Sequence, residues 1–308
     1  MKKKYLMAIL SILCFSYGLI WPRQGQAQEK DLSIVTSFYP VYAITQEIVG
    51  DCHQVQVINT FNGIHGFEPS ANDIAAIYQA DIFIYHAQNL ESWTQHLDNN
   101  RGTSQVVMLE ASKGIEFMKV KGLEDVEVID GMDSSALFDP HSWLDPLQVA
   151  VEAQIIADYL SEVDSANEAT YQANAKAFVD KAQGLVDKYQ EIFNQSKQKT
   201  FVTQHTAFSY LAQRFGLEQL GISGISSDIE PTSKKLAEIQ TFVKEKGLKK
   251  IFVEPNVSDK AAQVISKATG AEIVELSPLE SDPHNSLSFL ENLDNTLATL
   301  SQNLLEEE

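Results

Sequence analysis

Positive charge is scarce in this chain. Its 308 residues hold 23 Lys and Arg against 42 Asp and Glu, a formal net charge of −19. Such a surface repels nucleic acid and anionic lipid and attracts cations, although screening keeps that attraction unspecific. Cysteine is nearly missing, with two in the whole chain, Cys14 and Cys52. Cys14 falls in a leader-like segment, so Cys52 would be the single cysteine of the mature protein and no disulfide is expected. Beside Asp51, Cys52 reads as a small packed residue. Signatures of catalysis are also lacking. There is no His-Glu-x-x-His helix, no Gly-x-Ser-x-Gly elbow, no phosphate-cradling loop and no dinucleotide fingerprint. Ser209 and Ser277 have no neighbours in sequence that would activate them. After residue 21 no run is apolar enough to span a bilayer.

The apolar run that is present sits at the start. Lys2, Lys3 and Lys4 precede the stretch Tyr5–Trp21, and Gly25-Gln26-Ala27 has the small-x-small form of a signal peptidase site. Residues 1–27 are therefore expected to be a signal peptide, cleaved after Ala27, and the mature chain would carry a net charge of −23. An acylated Cys14 would need a small residue before it, where Leu13 stands, so cleavage is favoured over a lipid anchor at Cys14. Either way the protein is expected outside the cytoplasmic membrane, in a periplasm or at a cell surface.

Hydrophobic residues make up 44% and charged residues 21%, the balance of a globular protein long enough for two domains. Leu32–Thr36, Val55–Ile58, Ala80–Tyr85 and Val106–Leu109 read as strands. Between the first two lies a helical pattern, Val41, Ile44 and Ile48, and a helix-like stretch surrounds Trp93. Ser70 with Asp73 has the form of a capping box. From Asp145, an N-cap ahead of Pro146, the pattern is mostly helical. A second start at Asp164-Ser165 opens a long helical run to Ser196. Strand–helix alternation then resumes with Thr200–Thr203, Ala207–Phe215, Lys250–Val253, Ser258–Thr269 and Glu272–Leu276. The expected fold is α/β: two lobes with mostly parallel sheets, residues 28–145 and 199–308, joined by a long rigid helical linker, 146–198.

Against this frame the histidines stand out. His65 lies in Gly-Ile-His-Gly-Phe-Glu-Pro-Ser, His141 in Asp-Pro-His-Ser-Trp-Leu-Asp-Pro, and His205 in Gln-His-Thr-Ala-Phe. Glu280 lies in Ser-Pro-Leu-Glu-Ser-Asp. The separations exclude a local zinc knuckle, so four loops of a large fold would have to meet. A lone loop histidine is more often structural or solvated than a ligand. Four such residues at equivalent element ends, three after strands where open α/β sheets place ligand groups and His141 before the Asp145 cap, argue for one site. Three imidazoles and one carboxylate suit Zn²⁺, with Mn²⁺ as the weaker alternative. His53 and His96 are expected on the surface, and His86 in a structural hydrogen bond. His284 is expected to be at most an auxiliary ligand. Glu68, Asp139 and Asp282 are candidate acceptors for the outer ring nitrogens.

In combination these motifs resemble the zinc/manganese substrate-binding proteins of ABC importers, closest to the laminin-binding, zinc-binding adhesion-lipoprotein branch. The resemblance runs from about Leu32 to Leu300. It implies metal held between the lobes by His65, His141, His205 and Glu280, and delivery of zinc to a membrane ABC permease. It also implies a monomer that is not an enzyme and binds no nucleic acid. The third imidazole, His205, favours zinc over manganese. An adhesin for an extracellular matrix protein such as laminin is the alternative, and a zinc hydrolase a more distant one. The His-rich loop of some zinc members is lacking; Ala111–Ser135 is acidic and contains no histidine.

Overall fold

Four short strands build the first lobe: β1 (Ile34–Thr36), β2 (Val55–Val57), β3 (Ile82–Tyr85) and β4 (Val107–Glu110). They pair in parallel in the order β2-β1-β3-β4. Helices α1 (Tyr39–Val49), α2 (Ala71–Gln79) and α3 (Thr94–Asn100) fill the crossovers. The second lobe repeats the plan with β5 (Thr200–Thr203), β6 (Glu218–Gly221), β7 (Lys250–Val253) and β8 (Glu272–Glu275), ordered β6-β5-β7-β8. Its helices are α6 (Ser209–Phe215), α7 (Ser233–Lys246) and α8 (Lys260–Thr269). The computed structural model describes residues 31–306 apart from 60–62, 122, 124, 126–136 and 228–229. The expected signal peptide, Ala27 and Cys14 lie outside the described residues. No described helix is long and apolar enough to cross a membrane.

Central strands β1, β3 and β5 are buried along their whole length, whereas β2 and β4 at the edges are partly exposed. A parallel sheet covered by helices on both faces demands apolar residues only where both faces are covered. That explains why the central strands are plain in the sequence. It also explains β6, which sequence patterning does not reveal. Glu218-Gln-Leu-Gly has no β-branched residue, and it forms an edge strand through its backbone ladder to β5.

The helical middle is two helices, α4 (Pro146–Val163) and α5 (Glu168–Gln195). The Asp145 side chain accepts from Leu147 N as the N-cap of α4. Asp164, expected to start the second helix, instead caps the end of α4, and its carboxylate takes bonds from Tyr171 Oη (2.6 Å) and His53 Nε2 (2.9 Å). His53 is thus buried rather than solvated, because the α4–α5 turn covers it. Cys52 packs half-buried against the core.

At roughly 1.5 Å per residue α5 reaches about 42 Å, enough to lie along both lobes. Tyr171, Ala175, Phe178, Ala182, Tyr189 and Phe193 form its buried stripe. Near its start Asn174 Nδ2 donates to Ile48 O of the first lobe, and near its end Phe193 packs on Phe215 of the second. The C-terminal helix α9 (Phe289–Glu306) returns across both, with Asn292 donating to Tyr39 Oη and Asp294 accepting from Tyr189 and Lys188. One apolar cluster therefore runs from Ile34 and Trp143 through Phe178 to Phe252 and Leu300. Opening the lobes on a hinge would tear this cluster. Phe193→Ala, at a fully buried site, is expected to lower the unfolding free energy by about 3–5 kcal/mol, read from urea denaturation of the metal-free protein.

Candidate metal centre

Three of the candidate ligands stand beyond the C-terminal end of a strand, and His141 lies just ahead of the Asp145 cap of α4. His65 follows β2 and precedes the capping box of α2, where Ser70 Oγ accepts from Asp73 N and Asp73 Oδ2 from Ser70 N. His205 follows β5 directly, and Gln219 Nε2 of β6 donates to its carbonyl at 3.0 Å. Glu280 follows β8 through Ser277-Pro278-Leu279. Leu279 is buried with φ at +56°, a left-handed backbone that costs a non-glycine residue of order 1–3 kcal/mol. Packing holds that turn: Trp143 Nε1 donates to Pro278 O at 2.9 Å. Trp143 belongs to the His141 motif, so the loops of His141 and Glu280 lock one another. The His141 loop is further fixed by Tyr210 Oη, which donates to Asp139 O at 2.8 Å and accepts from Met118 N.

The four residues meet at one point, with their candidate ligand atoms all within 4.8 Å of one another. His65 Nε2 lies 3.0 Å from His141 Nε2, which lies 3.3 Å from His205 Nε2. Glu280 Oε1 stands 3.0, 3.4 and 3.5 Å from the Nε2 atoms of His205, His141 and His65. The edge of a zinc tetrahedron with Zn–N of about 2.0–2.1 Å is about 3.3 Å, so five measured edges fit that polyhedron. His141, His205 and Glu280 are buried and His65 is partly exposed.

The outer ring nitrogens decide which atoms face inward. His141 Nδ1 donates to Asp139 Oδ1 at 2.7 Å, as expected from the sequence. His205 Nδ1 is hydrogen-bonded to Glu254 at the end of β7. Glu254 is the residue that sequence reading missed, and its one signal is its place just after a central strand. With both Nδ1 atoms bonded to carboxylates, the Nε2 lone pairs converge. Glu280 Oε1 is buried there with no hydrogen bond of ordinary geometry. Converging lone pairs repel unless protons or a cation sit among them.

The electrostatics agree. Burial alone would lower the His205 pKa, but the Glu280 and Glu254 carboxylates outweigh it and hold the ring at about 10. Burial likewise opposes charge on His141, and Asp139 overturns it, so its pKa is raised. For His65 burial prevails and the pKa is lowered. Burial would raise Glu280, but the charge of His205 and the closeness of the three imidazoles hold it well below the usual carboxylate range.

The remaining candidates separate cleanly. Glu68 and Asp282 are not among the acceptors of the three rings; Glu68 is exposed, and Asp282 Oδ1 accepts from His284 N. His284 is exposed on the rim of the cleft that reaches His65 and Glu280 and lies outside the four-residue cluster. His96 is exposed, as expected. His86 is structural, as expected: it is fully buried, with Nε2 donating to Pro140 O at 2.8 Å and Nδ1 3.2 Å from Glu152. Burial opposes its charge, but Glu152 raises its pKa to about 8.

Two parallel four-stranded sheets, joined by helices, give a two-lobed protein with one polar centre between the lobes. The chain belongs to the ZnuA family: the profile of the zinc-uptake complex component A, periplasmic, matches residues 34–303. It is 35% identical over 310 residues to the zinc-binding lipoprotein AdcA of Streptococcus pneumoniae serotype 4, covering 99% of this chain and 62% of AdcA. The chain thus spans less than two thirds of that relative. It is 34% identical to the high-affinity zinc uptake system protein ZnuA of Bacillus subtilis, over 92% of this chain and 91% of that protein. Among solved structures, a Zn(II)-bound variant of AdcAII from S. pneumoniae is 54% identical, with a TM-score of 0.84 over 89% of this chain and 99% of that one. The laminin-binding protein Lmb of Streptococcus agalactiae, described as bifunctional with adhesin and metal-transporting activity, is 48% identical. Its TM-score is 0.82 over 89% of this chain and all of that one.

Proposed function

We propose that this protein captures Zn²⁺ outside the cytoplasmic membrane and delivers it to an ABC-type permease, with His65, His141, His205 and Glu280 as the zinc ligands. The observation that carries this reading is the convergence of three Nε2 atoms and Glu280 Oε1, with five of their six separations at 3.0–3.5 Å, near the edge of a zinc tetrahedron. Zinc is cargo here. Four protein ligands leave no position for a bound water, so the centre stores the ion rather than using it for hydrolysis. The zinc named in AdcA, ZnuA and AdcAII supports the same cargo for this chain.

Elemental analysis of the purified protein with a Zn²⁺ and Mn²⁺ titration tests this. One zinc per chain, bound more tightly than manganese, is the expected result; no saturable zinc site would overturn it. Zinc at a hundredfold excess over its Kd should add about 2.7 kcal/mol to the unfolding free energy, seen as a raised melting temperature. His205→Asp should narrow the preference for zinc over manganese, since a hard oxygen replaces a borderline nitrogen. An unchanged ratio would show that geometry controls selection.

Export follows the same reading. A mature chain beginning after Ala27 is expected from mass spectrometry of native protein, and a diacylglyceryl mass on Cys14 would replace it with an anchored lipoprotein. The protein is read as a monomer whose partner is the permease. The likeness to Lmb favours one second reading, an adhesin for laminin or another surface protein. Laminin binding that survives removal of zinc would separate that activity from transport.

A further inference from the structure

Glu280 has two carboxylate oxygens, and the imidazoles account for one. Oε1 faces the three Nε2 atoms. Oε2 points toward Gly63, on the loop of the opposite lobe: a Cβ placed on Gly63 would stand 2.8 Å from it. That is closer than carbon and oxygen approach without a bond. Other reasons for a glycine at this position fail. Gly63 is exposed, so no packing demands a small residue, and it is not among the glycines with a left-handed backbone. Glu280 Oε2 is the atom that a side chain here would meet.

We propose that Gly63 is a positioning residue for the ligand carboxylate: its missing side chain leaves the space that Glu280 Oε2 occupies and so fixes the orientation in which the other oxygen faces the three imidazoles. Glu280 cannot simply swing aside. It is buried, it hangs from the Leu279 turn locked by Trp143, and its other oxygen is surrounded by rings. A methyl group at residue 63 must therefore rotate the carboxylate or push the two lobes' loops apart. Either movement draws Oε1 away from the point where the Nε2 atoms converge. Gly63 thus acts on the ion through its contact with Glu280, from across the cleft between the lobes.

The inference rests on the zinc reading above, and a double-mutant cycle tests it separately. Zn²⁺ affinity is measured by competition with a chelating dye for wild type, Gly63→Ala, Glu280→Ala and the double variant. Wild type that takes no zinc would defeat the functional reading itself. Given a zinc-binding wild type, Gly63→Ala should weaken zinc about 10–100-fold, the range for groups that orient a metal ligand. The metal-free protein should still unfold cooperatively, because an exposed alanine removes no core packing and its clash is confined to the Glu280 carboxylate. In the Glu280→Ala background the Gly63→Ala change should have no further effect, since the oxygen it strikes is gone. Glu280→Asp, shorter by one methylene, should make Gly63→Ala less damaging than it is beside Glu280. Two results would overturn the proposal. One is wild-type affinity in Gly63→Ala; the other is the same fold-loss with and without Glu280.

Discussion

His141→Ala is expected to weaken zinc binding on the order of a hundredfold or more, and to do so more than His65→Ala. Four protein ligands together supply roughly 10–16 kcal/mol to a structural zinc, so one ligand contributes about 3 kcal/mol, or about two powers of ten in Kd. His141 stands at the closed base of the centre, where the Asp139 carboxylate is buried and has the imidazole as its hydrogen-bond donor. Removing the ring leaves that carboxylate with the backbone N–H of residue 141 but without its imidazole donor, in a site that water does not reach freely, which adds to the loss. His65 is partly exposed beside the cleft of about 1220 Å³, so water can take its place on the ion. Calorimetric titration of the two variants checks the order, and equal losses would show that burial does not rank the ligands.

Zinc binding at pH 7.5 should release about one proton or more per ion, and the apparent affinity should rise with pH. The sign follows from His205. Its ring is held at about 10 in the metal-free protein, so at neutral pH zinc must displace the proton that the ring carries there. Affinity should fall roughly tenfold for each pH unit below that value from this residue alone. Metal-free stability responds in the opposite direction. A folded-state pKa above the ordinary 6.5 gives stability that is fully present below pH 6.5 and is lost as pH rises from there through about 10. Alkali should therefore loosen the metal-free protein while tightening its hold on zinc. Proton release in weak buffer, with melting curves of both forms across this range, measures both trends; release of no proton would show His205 neutral before the ion arrives.

The same geometry bears on how loaded and empty protein differ. A rigid linking helix leads one to expect that metal orders the loops of His65, His141 and Glu280 rather than closing a hinge. The continuous core along α5 agrees with the rigid part. For the loops the structure narrows the expectation. Those of His141 and Glu280 are already tied by the Trp143–Pro278 bond and by Tyr210, so the His65 loop is left to respond most. Hydrogen exchange should show zinc-dependent protection concentrated around residues 63–67, with α5 unchanged. Equal protection in all three loops would show that the two hydrogen-bonded loops also await the ion.

Much of this was legible in the residues. Ser70 with Asp73 and Asp145 with Pro146 mark helix starts because a cap is a contact between residues a few positions apart, and both caps are present. Buried central strands show as apolar runs for the same local reason. His65, His141, His205 and Glu280 could be singled out because their residue types carry chemistry and each sits among turn residues at the end of an element, after a strand or, for His141, before a helix cap. Their assembly within 4.8 Å could not be read from separations of more than sixty residues.

What the sequence determined by itself is the inventory: α/β lobes, a helical middle, a cation-favouring charge and three imidazoles with one carboxylate. What only the tertiary structure decided is who faces whom. Glu254 became the partner of His205 because β5 and β7 are sheet neighbours, although forty-nine positions separate the two residues. His53 became buried because the turn between α4 and α5 lies over it. β6 became a strand because an edge needs a backbone ladder more than a β-branched side chain. Gly63 acquired a role from an oxygen on the other lobe. Caps and periodicity are local and are written in neighbouring residues, whereas a partner across the fold is set by packing.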